Sequence, residues 1–410
     1  MELFHREKYL KKIRAFYHDP EIIKVITGIR RCGKSCLMQQ IAYEIKASGV
    51  VPQDRIHYFD LDSRKYRKIK TPDDLEGLLD SIEETGEIQY LFIDEIQNVK
   101  DFEEVINAFR VDGHYSIFIT GSNSYLLSGE LATKLTGRYI EFEMFPLTFD
   151  EYLDIKKFYK KEINPNLIIE LNNYLLEGGF PKAIQYETLS DKRTYVKSVI
   201  NEIFEKDIRK HNKIGNTKTF FSTLNFIINN FGCTYSIRSL QDALEKSGIS
   251  IERKTLNRYV DLLVDSKILY RCDRFDMKSK KSISGEKKYY IADTSIYFST
   301  NTDNRINYGP ALENTVYLYA KSLDYSVSIG RIGKLECDFI LRDNELGYSY
   351  VQVAYTINES RQTEDKEYAS LEKIKDNYPK YVVTTDYILQ KRNGIHHVNI
   401  MEFMKEHQKF

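Results

Sequence analysis

The sequence has few of the features that mark secreted, membrane-spanning or nucleic-acid-coating proteins. Its five cysteines are odd in number and mostly far apart, which favours reduced thiols over a disulfide framework. Lysine plus arginine and aspartate plus glutamate both number 60, so any surface for nucleic acid has to be a local patch. No apolar run approaches the roughly 18 residues of a membrane span, and the first residues do not read as a signal peptide. We therefore expect a cytoplasmic protein without a membrane partner.

Length and composition indicate several globular domains. A chain of 410 residues exceeds what one hydrophobic core usually supports, so we expect about two to four domains. Hydrophobic residues make up 42% of the chain and charged residues 29%, as in ordinary folded proteins. The sequence has no internal repeat and no low-complexity segment.

A phosphate-binding motif follows the first predicted strand. Residues 22–35 read IIKVITGIRRCGKS, which places G-x-x-x-x-G-K-S between a strand and a helix. The two glycines let backbone N–H groups point at a phosphate chain, Lys34 reaches the β and γ phosphates, and Ser35 is placed to hold Mg²⁺. The sequence therefore predicts a bound nucleoside triphosphate with Mg²⁺. The residues predicted to contact the nucleotide are Gly28, Ile29, Arg30, Arg31, Cys32, Gly33, Lys34, Ser35 and Cys36.

A second motif ends in two adjacent carboxylates. Residues 89–95 read QYLFIDE, the pattern of a buried parallel strand that presents acids at its C-terminal edge. Ligands bind at that edge in open α/β sheets. Asp94 is predicted to hold Mg²⁺ through water, and Glu95 to orient or deprotonate the attacking water. The loop and the acid pair together predict a nucleoside triphosphatase.

The order of predicted elements indicates an α/β fold in four parts. Strands and helices alternate over residues 1–148, which predicts a P-loop NTPase core with a parallel sheet. Residues 149–211 are mostly helical and read as a lid. Three helices and then two strands over 212–300 follow the winged helix-turn-helix order. Residues 301–410 return to a mixed α/β pattern and form the fourth predicted domain.

Five features together resemble one family, the AAA+-type archaeal and bacterial ATPases whose C-terminal domain is similar to the restriction-endonuclease fold. They are the phosphate loop, the acid pair, the strand end TGSN at 120–123, Gly137-Arg138, and GGFP at 178–181. The resemblance covers essentially the whole chain, most specifically residues 22–185. Related ATPases work as nucleotide-driven switches. The resemblance implies ATP as the nucleotide. The preference for ATP over GTP rests on the family alone, because no base-reading motif such as N-K-x-D stands in the expected place.

The resemblance also implies roles for single residues outside the loop. Asn123 or Ser122 is the expected sensor of the γ-phosphate. Arg138 is the expected finger that completes the site of a neighbouring subunit, which implies a homo-oligomer. A surface salt bridge beside Glu141 is the alternative for Arg138. Pro181 is expected to pack against the adenine, although the two glycines before Phe180 can also simply end a helix.

Duplex DNA is a candidate ligand of the predicted winged helix. When the apolar side chains of its second helix face the core, Asp261 and three side chains able to contact DNA face solvent. The loop between the two strands adds lysines that could contact phosphates without reading sequence. The alternative is that this domain serves protein contacts or lid movement, with its lysines solvated. The predicted DNA-contacting residues are Lys254, Asn257, Arg258, Lys278, Lys280 and Lys281, and Lys287 and Lys288 extend the same cluster.

The C-terminal domain resembles a nuclease that has lost its chemistry. Glu313 on a predicted helix and Asp338 on a predicted strand match two acids of the restriction-endonuclease-like site. Where that site needs a carboxylate-x-lysine pair, the chain has Gln352 and Ala354, which supply neither the metal ligand nor the lysine. Lys366 on the following helix is a candidate replacement for the lysine. We expect an inactive domain that binds an unknown protein partner.

The sequence therefore predicts a slow, Mg²⁺-dependent ATPase whose nucleotide state controls the winged helix and the C-terminal partner-binding domain. Two alternatives stay open at this point. One is a DNA-associated regulator or mobile-element accessory ATPase, and the other is an ATP-regulated nuclease.

Overall fold

The computed structural model describes residues 3–83, 85–121, 135–300, 308–345 and 347–405, without the side chain of residue 284. The chain clusters into two compact units, Met1–Met144 with Asp265–Lys267 and Phe145–Val264 with Ile268–Phe410. Within the described ranges, no helix has the length and apolar character needed to cross a membrane.

The first unit is built on a five-stranded parallel sheet in the order β2-β3-β4-β1-β5. The strands β1, β3 and β4 are buried along their whole length, as expected for parallel strands with both faces covered. This α/β architecture confirms the predicted fold class. The elements are α1 (Glu7–Ile13), β1 (Ile23–Gly28), α2 (Lys34–Ala47), β2 (Ile56–Asp60), α3 (Pro72–Leu79), β3 (Gln89–Asp94), α4 (Phe102–Val111), β4 (Tyr115–Thr120) and β5 (Tyr139–Met144).

The sheet order brings the two sequence motifs to the same edge. The phosphate loop follows β1 and the acid pair follows β3, and β4 lies between these two strands. All three strands run in the same direction, so their C-terminal ends share one edge of the sheet. Residues at the end of β4 therefore lie between the loop and the acids.

After β5 the chain forms a second, nine-stranded sheet with helices packed around it. The strand order is β13-β14-β12-β11-β10-β9-β7-β8-β6. The helices are α5 (Phe149–Phe158), α6 (Leu167–Glu177), α7 (Leu189–Ile203), α8 (Thr217–Asn229), α9 (Ile237–Lys246), α10 (Arg253–Asp265), α11 (Thr294–Thr300), α12 (Tyr308–Ser322), α13 (Arg361–Glu372) and α14 (Ile400–Lys405). The strands are β6 (Thr234–Tyr235), β7 (Leu269–Asp276), β8 (Lys281–Ile291), β9 (Ser326–Ile332), β10 (Leu335–Arg342), β11 (Tyr348–Val353), β12 (Lys380–Thr384), β13 (Lys391–Arg392) and β14 (Ile395–Asn399).

The β7–β8 hairpin is part of this larger sheet. Strand β7 pairs in parallel with β9, with residues 273–276 opposite 328–331. The hairpin of the predicted winged helix and the strands of the predicted C-terminal domain thus belong to one continuous hydrogen-bonded sheet. The boundaries of the four predicted domains stay a prediction.

The two glycines of the GGFP segment are required by close packing in the second unit. Gly178 has a φ of +76° and ends α6. A Cβ atom on Gly178 would lie 1.9 Å from Oδ1 of Asp293, and one on Gly179 would lie 2.3 Å from the carbonyl oxygen of Leu147. The Gly179 N–H also donates to Oδ2 of Asp293 over 2.5 Å. Helix termination, the alternative for this pair, is therefore what the structure shows at Gly178.

Candidate nucleotide-binding site

The loop after β1 has a backbone that only glycine can follow at its first position. Gly28, Arg31 and Gly33 all have positive φ angles, of +139°, +69° and +113°. A Cβ atom on Gly28 would lie 2.2 Å from the carbonyl oxygen of Met144, so any side chain there displaces the backbone. Gly33 has no such neighbour within 3.9 Å, and its φ alone favours glycine. The loop is thereby shaped as a concave turn of backbone amides before α2, the arrangement that binds phosphate.

Lys34 lies within the loop and is almost completely buried, with 4% of its surface exposed. Its Nζ donates hydrogen bonds to the carbonyl oxygens of Gly28 over 2.9 Å and of Ile29 over 3.2 Å. Both acceptors are neutral. An anionic phosphate oxygen is a stronger acceptor for an ammonium group than a peptide carbonyl, so a bound nucleotide can replace these bonds.

A buried arginine from the N-terminal segment supports the outer bend of the loop. Nη1 of Arg6 donates to the carbonyl oxygen of Cys32 over 3.1 Å, and the guanidinium lies 4.6 Å from the ring centroid of Tyr9. Burial raises the pKa of the Cys32 thiol, with the charges of Lys34 and Arg6 acting in the opposite direction. Arg6 was not among the predicted site residues. The other loop residues divide between buried (Ile29 and Arg30), half-buried (Ser35) and exposed (Arg31 and Cys36).

Asp94 is buried at the end of β3 and is held by two hydroxyl groups. Thr120 donates to its Oδ1, and Tyr58 donates to its Oδ2 over 3.1 Å. The Tyr58 hydroxyl also lies 3.5 Å from the carbonyl oxygen of Ser35. Tyr58 therefore lies within reach of both residues predicted to hold the metal ion. Neither Tyr58 nor Thr120 was predicted.

The residues fit a magnesium ion that takes most of its ligands from phosphate and water. Ser35 and Asp94 offer oxygen donors, the kind that Mg²⁺ prefers, and Mg²⁺ commonly uses one or two protein ligands beside nucleotide phosphates. Within the described part of the chain, no group of three or more histidine, cysteine or acidic residues is arranged to hold a metal ion. A site here would therefore depend on the nucleotide for its remaining ligands.

Glu95 follows directly in a left-handed backbone conformation, with a φ of +58°. Its N–H donates to the Thr120 hydroxyl over 3.0 Å, so the same threonine contacts both acids. Its carboxylate accepts a hydrogen bond from Gln97 and lies 3.9 Å from Nη2 of Arg30. Burial raises the pKa of Glu95, and the charges of Lys34 and Arg30 partly oppose this shift. A raised pKa makes a carboxylate a better proton acceptor near neutral pH.

Comparison with known proteins assigns this unit to a family. The model of the AAA domain matches residues 20–153, which contain both motifs, and that of a domain of unknown function, DUF8612, matches residues 168–304. An uncharacterized protein of Haemophilus influenzae is 32% identical over 405 residues, covering 98% of each chain. The chain belongs to this family of AAA-domain proteins. An uncharacterized protein of Methanocaldococcus jannaschii is also similar, with 30% identity over 89% of this chain and 83% of that one.

A solved structure supports the fold of the AAA-domain protein. The Walker-type ATPase PABY2304 of Pyrococcus abyssi matches with a TM-score of 0.50 and 17% identity, over 72% of this chain and 95% of that one. At this identity the match shows the fold alone. The match to the AAA domain model, together with this fold, confirms the resemblance to an AAA-type P-loop ATPase. The winged helix and the restriction-endonuclease-like domain stay predictions.

Arg138 lies at the edge of the sheet opposite the phosphate loop of its own AAA domain. Its carbonyl oxygen accepts from the N–H of Ile23, where β1 begins, whereas the loop follows the end of β1. Six strand residues separate the two edges by about 20 Å. Its Nη1 donates to Oδ1 of Asn107 over 3.3 Å. Asn123 and Ser122 lie outside the described residues, and Pro181 belongs to the second unit, so their assignments stay predictions.

The acids of the predicted nuclease-like site do come together, but around a lysine. Nζ of Lys288 lies 2.6 Å from Oε1 of Glu313 and 3.3 Å from Oε1 of Glu336. Burial lowers the pKa of Lys288, but the neighbouring acids outweigh it and raise the pKa above the ordinary value. Burial, followed by the charge of Glu313, raises the pKa of Asp338. Lys288 is therefore too deeply buried to contact DNA phosphates.

The position of the missing metal ligand is filled by hydrogen bonds within the second unit. Oε1 of Gln352 accepts from the N–H of Asp338 over 3.3 Å, and its Nε2 donates to Glu367 over 3.0 Å. Lys366, the candidate replacement for the catalytic lysine, is exposed and lies 3.5 Å from Oε1 of Glu367. The amide thus links a strand to a helix, which is a structural role.

The predicted DNA-contacting side chains are all exposed. On α10, Nδ2 of Asn257 donates to Asp261 over 2.8 Å. Lys287, next to the predicted set, forms an ion pair with Asp273 across the hairpin. The exposed residues form two groups, Lys254, Asn257 and Arg258 on α10 and Lys278, Lys280 and Lys281 at the β7–β8 turn.

Proposed function

We propose that this AAA-domain protein binds ATP with Mg²⁺, hydrolyses it slowly and works as a switch that controls its second unit. The observation that carries the proposal is the buried arrangement around Thr120. One hydroxyl joins Asp94 to the backbone of Glu95 at the sheet edge that also carries the phosphate loop. Buried carboxylates at that edge cost free energy and are expected where a ligand uses them.

Each group then has one task in phosphoryl transfer. The loop amides and Lys34 hold the β and γ phosphates, while Ser35 and Asp94 hold the ion, which neutralises charge on the transferred group when bound. Glu95 accepts the proton of the attacking water. Gln97 and Arg30 already engage the Glu95 carboxylate, which supports slow turnover. Asn123 is proposed to sense the γ-phosphate.

Two substitutions separate binding from hydrolysis. Lys34→Ala should abolish binding of Mg²⁺-ATP measured by calorimetry, whereas Glu95→Gln should keep binding and stop phosphate release. Glu104→Gln is the matched control, because this exposed glutamate on α4 changes charge equally outside the site. Equal turnover of Glu95→Gln and the parent protein would reject the proposed role.

The position of Arg138 at the opposite edge supports a role in a neighbouring subunit of a homo-oligomer. Arg138→Ala and Lys34→Ala should each be inactive alone. A mixture of the two should regain part of the activity, because an intact loop in one subunit then meets an intact arginine from the other. A mixture as inactive as its components would show that Arg138 does not act between subunits.

Duplex DNA is the second candidate ligand, as in a DNA-associated regulator or mobile-element accessory ATPase. The element order α8, β6, α9, α10, β7, β8 supports a winged helix. Lys254, Arg258 and the hairpin lysines are exposed at this part of the second unit. Stimulation of the ATPase by duplex DNA, lost in a Lys278/Lys280/Lys281 triple alanine variant, would favour this function. A nuclease function has less support, because Lys288 occupies the acid cluster.

The proposed switch acts on a protein partner bound by the C-terminal part of the second unit. Support comes from the hydrogen-bonded acid cluster, which leaves that part with a stable fold but no assigned chemistry. Capture of a partner by the full-length protein should differ between ATP and ADP. Identical capture with both nucleotides would contradict the switch.

A further inference from the structure

A broad groove opens in the second unit between the tip of the β7–β8 hairpin and the C-terminal end of α13. Its volume is about 980 Å³, at the upper end of the range for ligand-binding pockets. The Met277 N–H donates to the carbonyl oxygen of Arg331 over 3.0 Å, which fixes the hairpin tip to the end of β9. The groove is therefore bounded by paired backbone rather than by a free loop.

The floor of the groove is apolar and only partly covered. Ile340 and Ile374 belong to the buried core beneath it. Other apolar side chains pack on that core and keep part of their surface exposed, so that the floor is a contiguous apolar surface and not a set of scattered side chains. The floor is lined by Phe275, Met277, Ile332, Ile340, Tyr348 and Ile374.

The rim of the groove carries an excess of positive charge. Lys278 and Lys280 lie on the hairpin side and Lys373 on the helix side, all exposed and with no ion-pair partner among the residues that the structure describes. The two acids of the rim are already engaged. Glu372 accepts from Arg392 and Asn393, each over 2.8 Å.

The second rim acid, Asp376, accepts a hydrogen bond from the Tyr350 hydroxyl over 2.6 Å and lies 3.4 Å from Nζ of Lys380. With both acids occupied, the rim lysines are left to an external anion. A ligand that fits must therefore combine negative charge with large apolar side chains.

We propose that this groove binds an acidic segment of a partner protein that carries spaced large apolar side chains. The inference rests on the proposed partner-binding role and names the chemistry of that partner. Two aromatic rings of the groove contact each other, which reduces the ring surface that is open to bases. Tyr348 and Tyr378 pack against each other, with ring centroids 5.2 Å apart and planes at 60°. The floor combines aliphatic side chains with Phe275 and Tyr348. This apolar surface favours leucine-type or phenylalanine-type side chains over single-stranded nucleic acid, which needs open ring faces.

The test is selection from a display library of random 12-residue peptides on the full-length protein. Selected peptides should carry net negative charge and at least two large apolar residues. Their affinity, measured by fluorescence anisotropy, should fall at least tenfold in Lys278→Glu/Lys280→Glu/Lys373→Glu. A second variant, Met277→Ser, should weaken binding through the floor without changing the charge.

The matched control is Lys197→Glu/Lys213→Glu/Lys218→Glu, which reverses three exposed lysines of the second unit outside the groove. It should bind the selected peptides like the parent protein. No enriched peptide, basic peptides, or peptides insensitive to the groove variants would overturn the proposal. Binding of a 12-nucleotide single strand that is lost in the groove variants would overturn it in favour of nucleic acid. Mg²⁺-ATP binding by the same samples tests the proposed ATPase separately.

Discussion

Each unit of the protein has a buried lysine at a site predicted to carry chemistry, and these two lysines are bonded differently. Lys34 in the first unit donates to two neutral carbonyl oxygens of its own loop. Lys288 in the second unit is paired directly with Glu313 and Glu336. A lysine held by carbonyls can turn to an anionic ligand at small cost. A buried ion pair cannot, because breaking it leaves an uncompensated charge. The first arrangement suits a binding site and the second a structural centre.

The largest expected effects follow from replacing each lysine by methionine. Lys34→Met should weaken Mg²⁺-ATP binding by about 100-fold or more, since it loses a charge-assisted contact worth about 2.7 kcal/mol. Lys288→Met should leave nucleotide binding unchanged and lower the stability of the second unit by about 3–5 kcal/mol. Calorimetry and hydrogen exchange with mass spectrometry measure the two effects separately.

The control for Lys288→Met removes both charges. Lys288→Met/Glu313→Gln should recover most of the lost stability, because a neutral pair carries no unpaired buried charge. If the double variant is as unstable as the single one, the lysine acts through packing alone. A loss of nucleotide binding in Lys288→Met would contradict the purely structural role of this lysine.

The part of the site that follows from local spacing was predictable from the sequence. The loop and the acid pair are contiguous motifs, and alternating strands and helices gave the parallel sheet. Side chains that reach the site from a distance were not predictable. Tyr58 and Thr120 both donate to Asp94, from positions 36 and 26 residues away in the sequence. Arg6 contacts the loop at Cys32, which is 26 residues away. These contacts depend on which strands become neighbours, and a single sequence carries no local pattern for that.

The burial of Lys288 in the second unit was not predictable from the sequence for the same reason. In the sequence it extends a run of wing lysines, and Lys278 and Lys280 of that run are indeed exposed. The β7–β8 hairpin pairs with β9, and β9 pairs in turn with β10, the strand of Glu336. In this sheet Lys288 on β8 lies beside Glu313 of α12. Its burial is a consequence of sheet register, so the composition of the loop could not reveal it.

The next largest effect concerns Lys24, which is buried in β1 of the first unit. Burial lowers its pKa to about 7, partly opposed by the charge of Asp19. Between pH 7 and its ordinary pKa of 10.5, the folded chain binds fewer protons at this site than the unfolded chain. Stability of the first unit should therefore rise with pH over this range, by on the order of 4 kcal/mol. Hydrogen exchange of the first unit at several pH values measures the slope.

Lys24→Met should remove this contribution, so that the variant shows a flatter dependence than the parent. The comparison of slopes cancels other groups that titrate in the same range. Equal slopes in both proteins would mean that Lys24 keeps its proton through its bonds to the Asp19 carbonyl oxygen and Ser116.

Asp293 should give the second unit a smaller dependence of opposite sign. Burial raises its pKa from 3.8 to about 6, against the hydrogen bonds from Ser295 and Gly179. The folded state binds more protons than the unfolded state between these values, so stability should fall as pH rises from 4 to 6. We expect a loss of about 2 kcal/mol. Asp293→Asn should abolish the slope, measured by hydrogen exchange of the second unit, and a slope that survives would assign the titration to another group.

The smallest expected effect is a shift in the pH dependence of the ATPase when Arg30 is replaced, compared with replacement of the adjacent Arg31. Nη2 of Arg30 lies 3.9 Å from the Glu95 carboxylate, and its charge lowers a pKa that burial has raised. Arg30→Gln should therefore move the acidic limb of the ATPase pH profile to higher pH, because Glu95 accepts a proton only when ionised. The maximal rate should stay within about threefold of the parent, as expected when one distant ion pair is lost.

Arg31→Gln is the matched control, since it removes the same charge from an exposed side chain one residue further on. Steady-state rates from pH 5 to 9 measure both profiles. If the two variants shift the acidic limb equally, the effect comes from the net charge of the loop, and Glu95 is not held by Arg30 in particular.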